Sequence, residues 1–509
     1  MLIKTIQKLV LPFVFTLVAP LSFGLEWSSY TSDNFVIYSD DQPREIISLL
    51  EDFEVYRVVS LTLLGLPNES ENQKMVIIKY DSSREYNKAN LPRGAAGYYI
   101  NTDAGPRMVI GPTGRLSNAK LILFHEYIHY LLSEHSNIIY PKWYSEGLAE
   151  VFSTANIRRN RVRIGDINQN RADFLRFSQQ VGIERLISLD QVVPEDRQSG
   201  FYEGRFYATA WLFVHYLQIN SYEENPELKQ QTAAYLNAFN RGIDPEQAFM
   251  ESYGITPDEM SSRLRGYQSS NAGTRVTWSP APEYTGGIQQ ELLLPNTINY
   301  VLAHLVLNFG EDEAALEYLQ SIDEQGENAN RAYSLRSIIH NHLDYDELAE
   351  QDIDFALAEN TEDSFVLTNL AHVEMDNYLK AEENGNQNID TLIKVEDYTK
   401  RALENDPENL SALYFLGQSY LKQDKVISAL ETMLEQHSLF PSSPTLNLDI
   451  AKLLINEDRA DLARRYASLS LASFQSEWQR QIVEGLIGQI DSGQIDISIL
   501  DPIYALTND

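Results

Sequence analysis

The stretch from Leu121 to Leu132 reads LILFHEYIHYLL and is the most informative short segment of this chain. His125 and His129 stand four residues apart, so on a helix their rings project from one face, about 6 Å apart along the axis. Two ligands of one tetrahedral zinc ion need this spacing. Glu126 follows the first histidine, where its carboxylate can reach a water on the metal rather than the metal itself. The apolar residues around this motif predict a helix packed into the core.

The next segment supplies a third candidate ligand. Pro141 to Ser153 reads PKWYSEGLAEVFS, and its proline suits the first turn of a helix. The chain before Glu146 is long enough for a loop and a returning antiparallel helix, so Glu146 can complete the zinc site. Glu150, one turn further on, is placed to accept the distal N–H of His125. The alternative is that both glutamates lie on a solvated helix face.

HEYIH followed by WYSEGLAE resembles the gluzincin, or peptidase-MA-like, metallopeptidases, whose third zinc ligand is a glutamate in a W-x-x-E-G-x-A-E type segment. The resemblance implies one zinc ion per chain, held by His125, His129 and Glu146. It also implies that Glu126 is the general base and that Glu150 is the carboxylate supporting a ligand histidine. The matching motifs cover about thirty residues, and a weaker likeness extends over the first half of the chain.

A tyrosine is a further catalytic candidate. Tyr207 stands at the start of YATAWLFVHYL, which we predict to be a helix from Tyr207 to Leu217. Aminopeptidase-N-like gluzincins carry a tyrosine at the start of a comparable helix, and that tyrosine donates a hydrogen bond to the developing oxyanion. Ala210 replaces the glycine of their Y-x-x-G pattern, so the match is imperfect. A packing role for Tyr207 is the alternative, and Tyr202 is the substitute candidate.

The chain contains no cysteine, so any metal must be held by histidine and carboxylate. Two histidines outside the motif are not assigned as ligands. His215 lies in an apolar helix and is expected to be a core residue whose ring is hydrogen-bonded. His135 follows the HExxH helix in a polar stretch and is expected at the surface.

The region upstream of the motif favours an endopeptidase. Aminopeptidases of this clan hold the free amine of the substrate with a glutamate in a G-x-M-E-N motif. The corresponding stretch here, Arg93 to Gly111, reads RGAAGYYINTDAGPRMVIG and has no glutamate. We expect the strand Met108–Ile110 to be the sheet edge that pairs with an extended substrate.

An α+β domain is predicted for residues 25–267. Short runs of β-branched and aromatic residues predict strands, and a helix is expected at Pro43–Leu64. The strands are expected at Phe35–Ser39, Met75–Tyr80, Gly97–Ile100 and Met108–Ile110. Beyond Ser117 the pattern is helical. Residues 268–295 include a stretch rich in Ser, Gly, Pro and Thr and are predicted to form a linker.

Residues 296–509 repeat with a period of 34. Small residues recur at this interval at Ala315 and Ala349, and again at Val395, Ala429 and Ala463, with an insertion at Ala381–Asp390 between the two sets. Leu416, Gly417, Tyr420, Ala429 and Pro441 fit the tetratricopeptide (TPR) pattern. The segment resembles an all-α TPR solenoid of about five units, and such arrays present a concave surface to a peptide or protein partner. A purely structural role is the alternative.

The N-terminus and the charge indicate the compartment and exclude some partners. Lys4 and Lys8 precede an apolar run that ends at Gly24, which predicts a signal peptide over residues 1–24, with a retained anchor as the alternative. No later run is long enough to span a membrane, so we expect no stable span after cleavage. The formal charge of −33 disfavours nucleic-acid binding. We expect an exported protein, periplasmic or secreted.

Three functions are consistent with these patterns. The first is an exported zinc metallopeptidase that hydrolyses peptide bonds in a peptide or protein substrate and binds a protein partner through its TPR array. The second is a catalytically inactive exported TPR scaffold or chaperone. The third is a periplasmic envelope quality-control HExxH–TPR protease. The third ligand of that last group lies much farther downstream than Glu146.

Overall fold

The computed structural model describes most of the chain after the predicted signal peptide. The described residues are 26–68, 74–91, 97–102, 104–134, 138–158, 160–188, 200–223, 225–241, 243–270, 275–357, 361–386, 388–473 and 477–505. The predicted signal peptide and His135 lie outside these ranges. The chain is mixed α+β: an N-terminal sheet with covering helices precedes a helical, TPR-like region.

A six-stranded sheet forms the N-terminal part, in the order β4-β5-β3-β2-β1-β9. Strands β2, β3 and β5 run parallel, whereas β4, β1 and β9 are antiparallel to their neighbours. Strands β6, β7 and β8 form a second, antiparallel sheet. The strands are β1 (Ser28–Thr31), β2 (Phe35–Ser39), β3 (Met75–Lys79), β4 (Gly97–Thr102), β5 (Gly105–Ile110), β6 (Asn156–Arg158), β7 (Arg161–Ile164), β8 (Val276–Trp278) and β9 (Gln289–Leu292).

Eleven helices are described before β8, and the predicted helix at Pro43–Leu64 is found with those bounds. They are α1 (Pro43–Leu64), α2 (Ser83–Lys88), α3 (Leu116–Glu134), α4 (Lys142–Ser153), α5 (Gln169–Phe177), α6 (Ile183–Ile187), α7 (Gly200–Val214), α8 (Asn220–Glu223), α9 (Glu227–Asn240), α10 (Pro245–Tyr253) and α11 (Pro257–Ser270). A π-helical turn, His215–Ile219, connects α7 and α8. The hairpin β6–β7 interrupts the region that the sequence pattern indicated as helical throughout.

The outcome differs from the prediction at two places in the sheets. Met108–Ile110, predicted to be a sheet edge, belongs to β5, which pairs with β4 on one side and β3 on the other. The edge strand at this end is therefore β4. Residues 268–295, predicted to be a linker, contribute a strand to each sheet, because β8 pairs with β7 and β9 pairs with β1. Both pairings satisfy backbone groups that a bare sheet edge would leave unpaired.

Both faces of the large sheet are covered. Successive side chains of a strand point to opposite faces, so Ile77 and Met108 enter the core that contains α1 and α3. Their neighbours Ile78 and Val109 enter a different core, shared with Leu302 of the helical region. The continuous apolar run in β3 is typical of a strand buried on both sides.

Five antiparallel helix pairs and two terminal helices follow β9. They are α12 (Pro295–Leu307), α13 (Asp312–Tyr318), α14 (Ala329–His342), α15 (Asp346–Leu357), α16 (Ser364–Glu383), α17 (Ile389–Asn405), α18 (Leu410–Lys422), α19 (Val426–Leu439), α20 (Pro444–Asn456), α21 (Ala460–Ser473), α22 (Glu477–Ser492) and α23 (Asp501–Ala505), with a 3₁₀ turn at Ile497–Leu500. The predicted insertion lengthens α16 and its turn to α17. The small residues of the 34-residue period are buried where paired helices meet.

Each helix pair has a left-handed backbone residue in its internal turn. The five positions are Gly310, Asp344, Gly385, Asp424 and Asp458, all with φ between 56° and 75°. Glycine and aspartate tolerate this conformation better than most residues, so the turns have a local sequence basis. The repetition of one turn geometry gives the pairs a common arrangement.

The helical region contacts the N-terminal part near both of its ends. Its first helix, α12, packs on the sheet through the core that contains Ile78 and Leu302. Near its far end, the backbone N–H of Ser442 donates to the Glu134 carboxylate at the end of α3 (3.3 Å), and Ile139 packs against the core of the last repeats. Among the described residues, no helix combines the length and the hydropathy that a membrane span requires.

Candidate metal centre

Two antiparallel helices bring the HExxH motif and Glu146 together. Helix α3 carries His125 and His129, and α4 packs between α3 and α7. The backbone of α3 is anchored immediately before His125, because the Tyr56 hydroxyl donates to the Phe124 carbonyl (3.0 Å) and the two rings stack at 3.9 Å. On the other side of α4, buried Trp143 stacks on Phe213 of α7. These contacts make the candidate site part of a packed core.

The three predicted ligands converge on one point. The Nε2 atoms of His125 and His129 are 3.3 Å apart, and Oε2 of Glu146 lies 3.6 Å from the first and 3.5 Å from the second. Ligands at about 2.0–2.1 Å from a tetrahedral zinc ion lie about 3.3–3.4 Å from one another. The triangle of donor atoms therefore has the dimensions of one face of such a tetrahedron.

Electrostatics favours a cation at this point. Burial would raise the pKa of Glu146, but the charge of His129 and the hydrogen-bonding imidazoles hold that pKa far below its usual range. Burial would likewise lower the pKa of His125, but Glu146 raises it to about 9. Two imidazole nitrogens 3.3 Å apart repel unless a proton or a metal ion lies between their lone pairs. The donor set thus fits zinc, which prefers imidazole nitrogen and carboxylate oxygen in this number.

Glu126 lies beside this triangle and is not one of the three converging ligands. Burial raises the pKa of its carboxyl above the usual value. The charges of His129 and His125 lower this pKa, and the charge of Glu146 raises it. A carboxylate with a raised pKa, next to a metal site, can accept a proton and later return it. The role of Glu126 as general base stays a prediction.

Glu150 is held differently from the prediction. Its Oε1 is 3.9 Å from Nδ1 of His125, too far for a hydrogen bond. Asn168 instead donates to Oε2 (2.7 Å) and Arg171 donates to Oε1 (2.5 Å). The buried carboxylate therefore forms an ion pair with Arg171, and it acts on His125 through its charge rather than through a direct hydrogen bond.

Asn168 and Arg171 were not identified from the sequence. Asn168 also caps α5 by accepting a hydrogen bond from the backbone N–H of Arg171, so the cap positions both side chains toward Glu150. An asparagine before a helix is a recognisable cap. Nothing local in the sequence indicates that this cap lies beside α4.

Tyr207 lies inside α7 rather than at its start, because the helix begins at Gly200. Its ring is partly buried against the core, and the Arg171 guanidinium lies 5.1 Å from the ring centre. Tyr207 is thus linked to the site through Arg171 and Glu150. Its oxyanion role stays a prediction. The side chain of Tyr202 lies outside the described part of the structure.

His215 is a core residue, as expected. It is fully buried, with Nε2 at 2.8 Å from the Gly165 carbonyl and Nδ1 at 2.7 Å from the Tyr267 hydroxyl. The carbonyl can only accept, so Nε2 carries the proton and Nδ1 accepts from the tyrosine. Both ring nitrogens are used, and neither is available to a metal.

Gly147, next to Glu146, permits the close contact between α4 and α7. A Cβ at this position would lie 2.5 Å from the Ala210 carbonyl oxygen and 2.5 Å from a Val214 methyl group. We expect Gly147→Ala to lower the free energy of unfolding by about 1–3 kcal/mol, because the helices must separate. Urea denaturation of the full chain measures this change.

The matched control is Gly266→Ala, which also places a methyl group inside a helix. No described atom beyond the local helix backbone lies within 4 Å of the position that this methyl group would take, so we expect a neutral or stabilising change of up to about 1 kcal/mol. If both substitutions change the free energy of unfolding equally, the close contact between α4 and α7 at Gly147 does not contribute to the loss of stability.

Residues 124–235 match a family described as a protein of unknown function (DUF1570). This range begins one residue before His125 and contains Glu146, Glu150 and Tyr207. The description assigns no activity, and the match covers under a quarter of the chain. No curated protein matches the chain.

Two solved structures are similar to parts of this chain. One is reported in a functional characterization of pilF from Pseudomonas aeruginosa, with 19% identity, a TM-score of 0.32, and coverage of 42% of this chain and 92% of that chain. The other is a thermophilic TPR protein from Thermus thermophilus, with 16% identity, a TM-score of 0.32, and coverage of 39% of this chain and 99% of that chain.

Proposed function

We propose that this protein is a zinc-dependent peptidase whose metal is held by His125, His129 and Glu146. The observation that carries the proposal is the triangle of donor atoms, with sides of 3.3, 3.5 and 3.6 Å. Three protein ligands leave a fourth tetrahedral position, which is typical of catalytic rather than structural zinc sites. No cysteine is present that could close the site.

Zinc bound by these residues would lower the pKa of a water molecule to about 7 and polarise a carbonyl group. Glu126 accepts the proton of the attacking water on its carboxylate and returns it to the leaving amine. The ion pair with Arg171 holds the Glu150 carboxylate in place near Nδ1 of His125. Tyr207 is our candidate hydrogen-bond donor to the oxyanion.

The sheet edge offers a place for an extended substrate. Among the described residues, β4 pairs as a strand only with β5, so its other side is the edge at which strand addition would take place. Gly97 of β4 lies against Ile122, three residues before His125. A Cβ on Gly97 would lie 2.4 Å from the Ile122 side chain, so glycine lets the strand approach the metal-binding helix. An endopeptidase that binds its substrate along β4 is the form of the proposal that we favour.

Metal content and peptide cleavage test the proposal together. The full exported chain is purified, stripped with a chelator and reloaded with zinc, and cleavage of a denatured protein and of a peptide library is followed by mass spectrometry. We expect zinc-dependent cleavage that is lost in His125→Ala together with one equivalent of zinc. A chain that binds no zinc at this site would instead be the inactive exported scaffold.

A further inference from the structure

A second group of metal-ligand side chains lies in the helical region. It consists of His342 at the end of α14 and of His372 and Asp376 on α16, and its candidate ligand atoms all lie within 4.8 Å of one another. Oδ2 of Asp376 is 3.2 Å from Nε2 of His342 and 3.6 Å from Nε2 of His372. Both distances are close to the spacing of about 3.3 Å between ligands of a tetrahedral zinc ion.

The repeat architecture explains how these residues meet. His372 and Asp376 are four residues apart on one helix face, the same spacing as the two histidines of the first site. His342 lies 34 residues before Asp376, at a similar place one repeat earlier, so stacking of α14 on α16 brings the two side chains together. The cluster therefore joins consecutive repeats.

A further carboxylate orients His342. Oδ1 of Asp312, at the start of α13, is 3.0 Å from Nδ1 of His342. A hydrogen bond from Nδ1–H to a carboxylate fixes the tautomer and leaves Nε2 free to bind a metal. Metal-binding histidines ordinarily have such a hydrogen bond on the ring nitrogen that does not bind the metal. Asp312 is within hydrogen-bond distance of that nitrogen in His342.

The three side chains of the cluster line a cavity and are not buried between packed helices. The helical region and the large sheet border a partly open cavity of about 1430 Å³. His342, His372 and Asp376 line it on the helical side, and Arg107 of β5 and Tyr38 of β2 line the opposite side. A metal held by three protein ligands here would keep a coordination position open toward this cavity.

We propose that His342, His372 and Asp376 form a second zinc site, positioned by Asp312 and separate from the peptidase site. Imidazole nitrogen and carboxylate oxygen are ligand atoms that zinc binds in proteins, and this cluster offers two of the first and one of the second. The ion would tie α14 to α16 across the boundary between two repeats. One zinc per chain is then the content of the first site alone, and the complete protein holds two.

The same residues have a metal-free arrangement with which zinc must compete. Burial would lower the pKa of His342, but hydrogen bonds with Asp312 and Asp376 raise it to about 9. At neutral pH without metal, this imidazole is therefore a cation between two carboxylates. Zinc binding must therefore displace the proton on Nε2 of His342.

The test uses the full chain with the first site removed by His125→Ala and His129→Ala. Zinc is titrated against a chromophoric chelator. We expect one remaining equivalent, and we expect His372→Gln in this background, which removes a direct ligand, to weaken its binding by more than about 100-fold. Asp312→Asn should weaken binding about 10-fold to 100-fold, because it acts through His342.

His304→Gln is the matched control, since His304 lines the same cavity but is not part of the cluster. Circular dichroism of every variant verifies that the helices remain formed. In the same background, zinc should raise the melting temperature only when the second cluster is intact. Absence of the remaining equivalent, or equal zinc affinity in the His372 and His304 variants, would overturn the second site without affecting the first.

Discussion

Replacing Glu126 with glutamine is expected to reduce peptide cleavage about 100-fold to 10,000-fold while leaving zinc content unchanged. Glutamine has nearly the same shape as glutamate but cannot accept a proton at neutral pH. Because Glu126 is not one of the three converging ligands, the distances among His125, His129 and Glu146 should be preserved. Rates of cleavage and zinc per chain are measured on the same preparations.

Glu246→Gln is the control for the loss of one carboxylate. This residue is exposed in the first turn of α10, away from the candidate metal centre. We expect it to leave the cleavage rate unchanged. If Glu126→Gln cleaves as fast as the parent protein, the assignment of Glu126 as the base is wrong, even if zinc is bound.

Glu146→Ala should have the largest effect on the metal itself. Replacing residues that only support a ligand costs about 10-fold to 100-fold in metal affinity, so loss of a direct ligand should cost more than about 100-fold. Without this carboxylate, a cation between the two imidazoles would lack its compensating negative charge. Cleavage should be lost with the zinc.

This affinity is best measured in a chain that carries His372→Gln, so that the proposed second cluster does not contribute. Glu246→Ala in the same background is the control for removing an acidic side chain. Unchanged zinc affinity in Glu146→Ala would exclude Glu146 as a ligand. The site would then lack its third protein ligand, and the scaffold function would become the better proposal.

The two predictions separate the possible functions. Zinc binding with no effect of Glu126→Gln on cleavage would leave a metal site without this peptidase mechanism. Absence of both zinc and cleavage would leave a helical protein-binding region attached to an inactive domain. A TPR-like array that contacts the N-terminal part near both of its ends is compatible with either result, because such arrays bind peptides or proteins without chemistry of their own.

Local periodicity was sufficient for the candidate ligands, for the helix pairs and for four of the strands, but it did not indicate β1, β6, β7, β8 or β9. Residues four apart on a helix share a face whatever surrounds the helix, so the pairing of His125 with His129 follows from the sequence alone. The 34-residue period likewise predicted the helix pairs, and the bounds of α1 followed from its apolar spacing. Glu146 could be added because the returning helix is a near neighbour in the chain.

Only the tertiary structure determined contacts between distant segments. It showed that Asn168 and Arg171 donate hydrogen bonds to Glu150. It also showed that β4 is an edge strand and that β8 and β9 each pair with one of the two sheets. It also brought His342 next to Asp376 through the stacking of repeats. Hydrogen bonds and strand pairing depend on atoms meeting within a few ångströms, and the packing of the whole chain, rather than any local pattern of residue types, sets those distances.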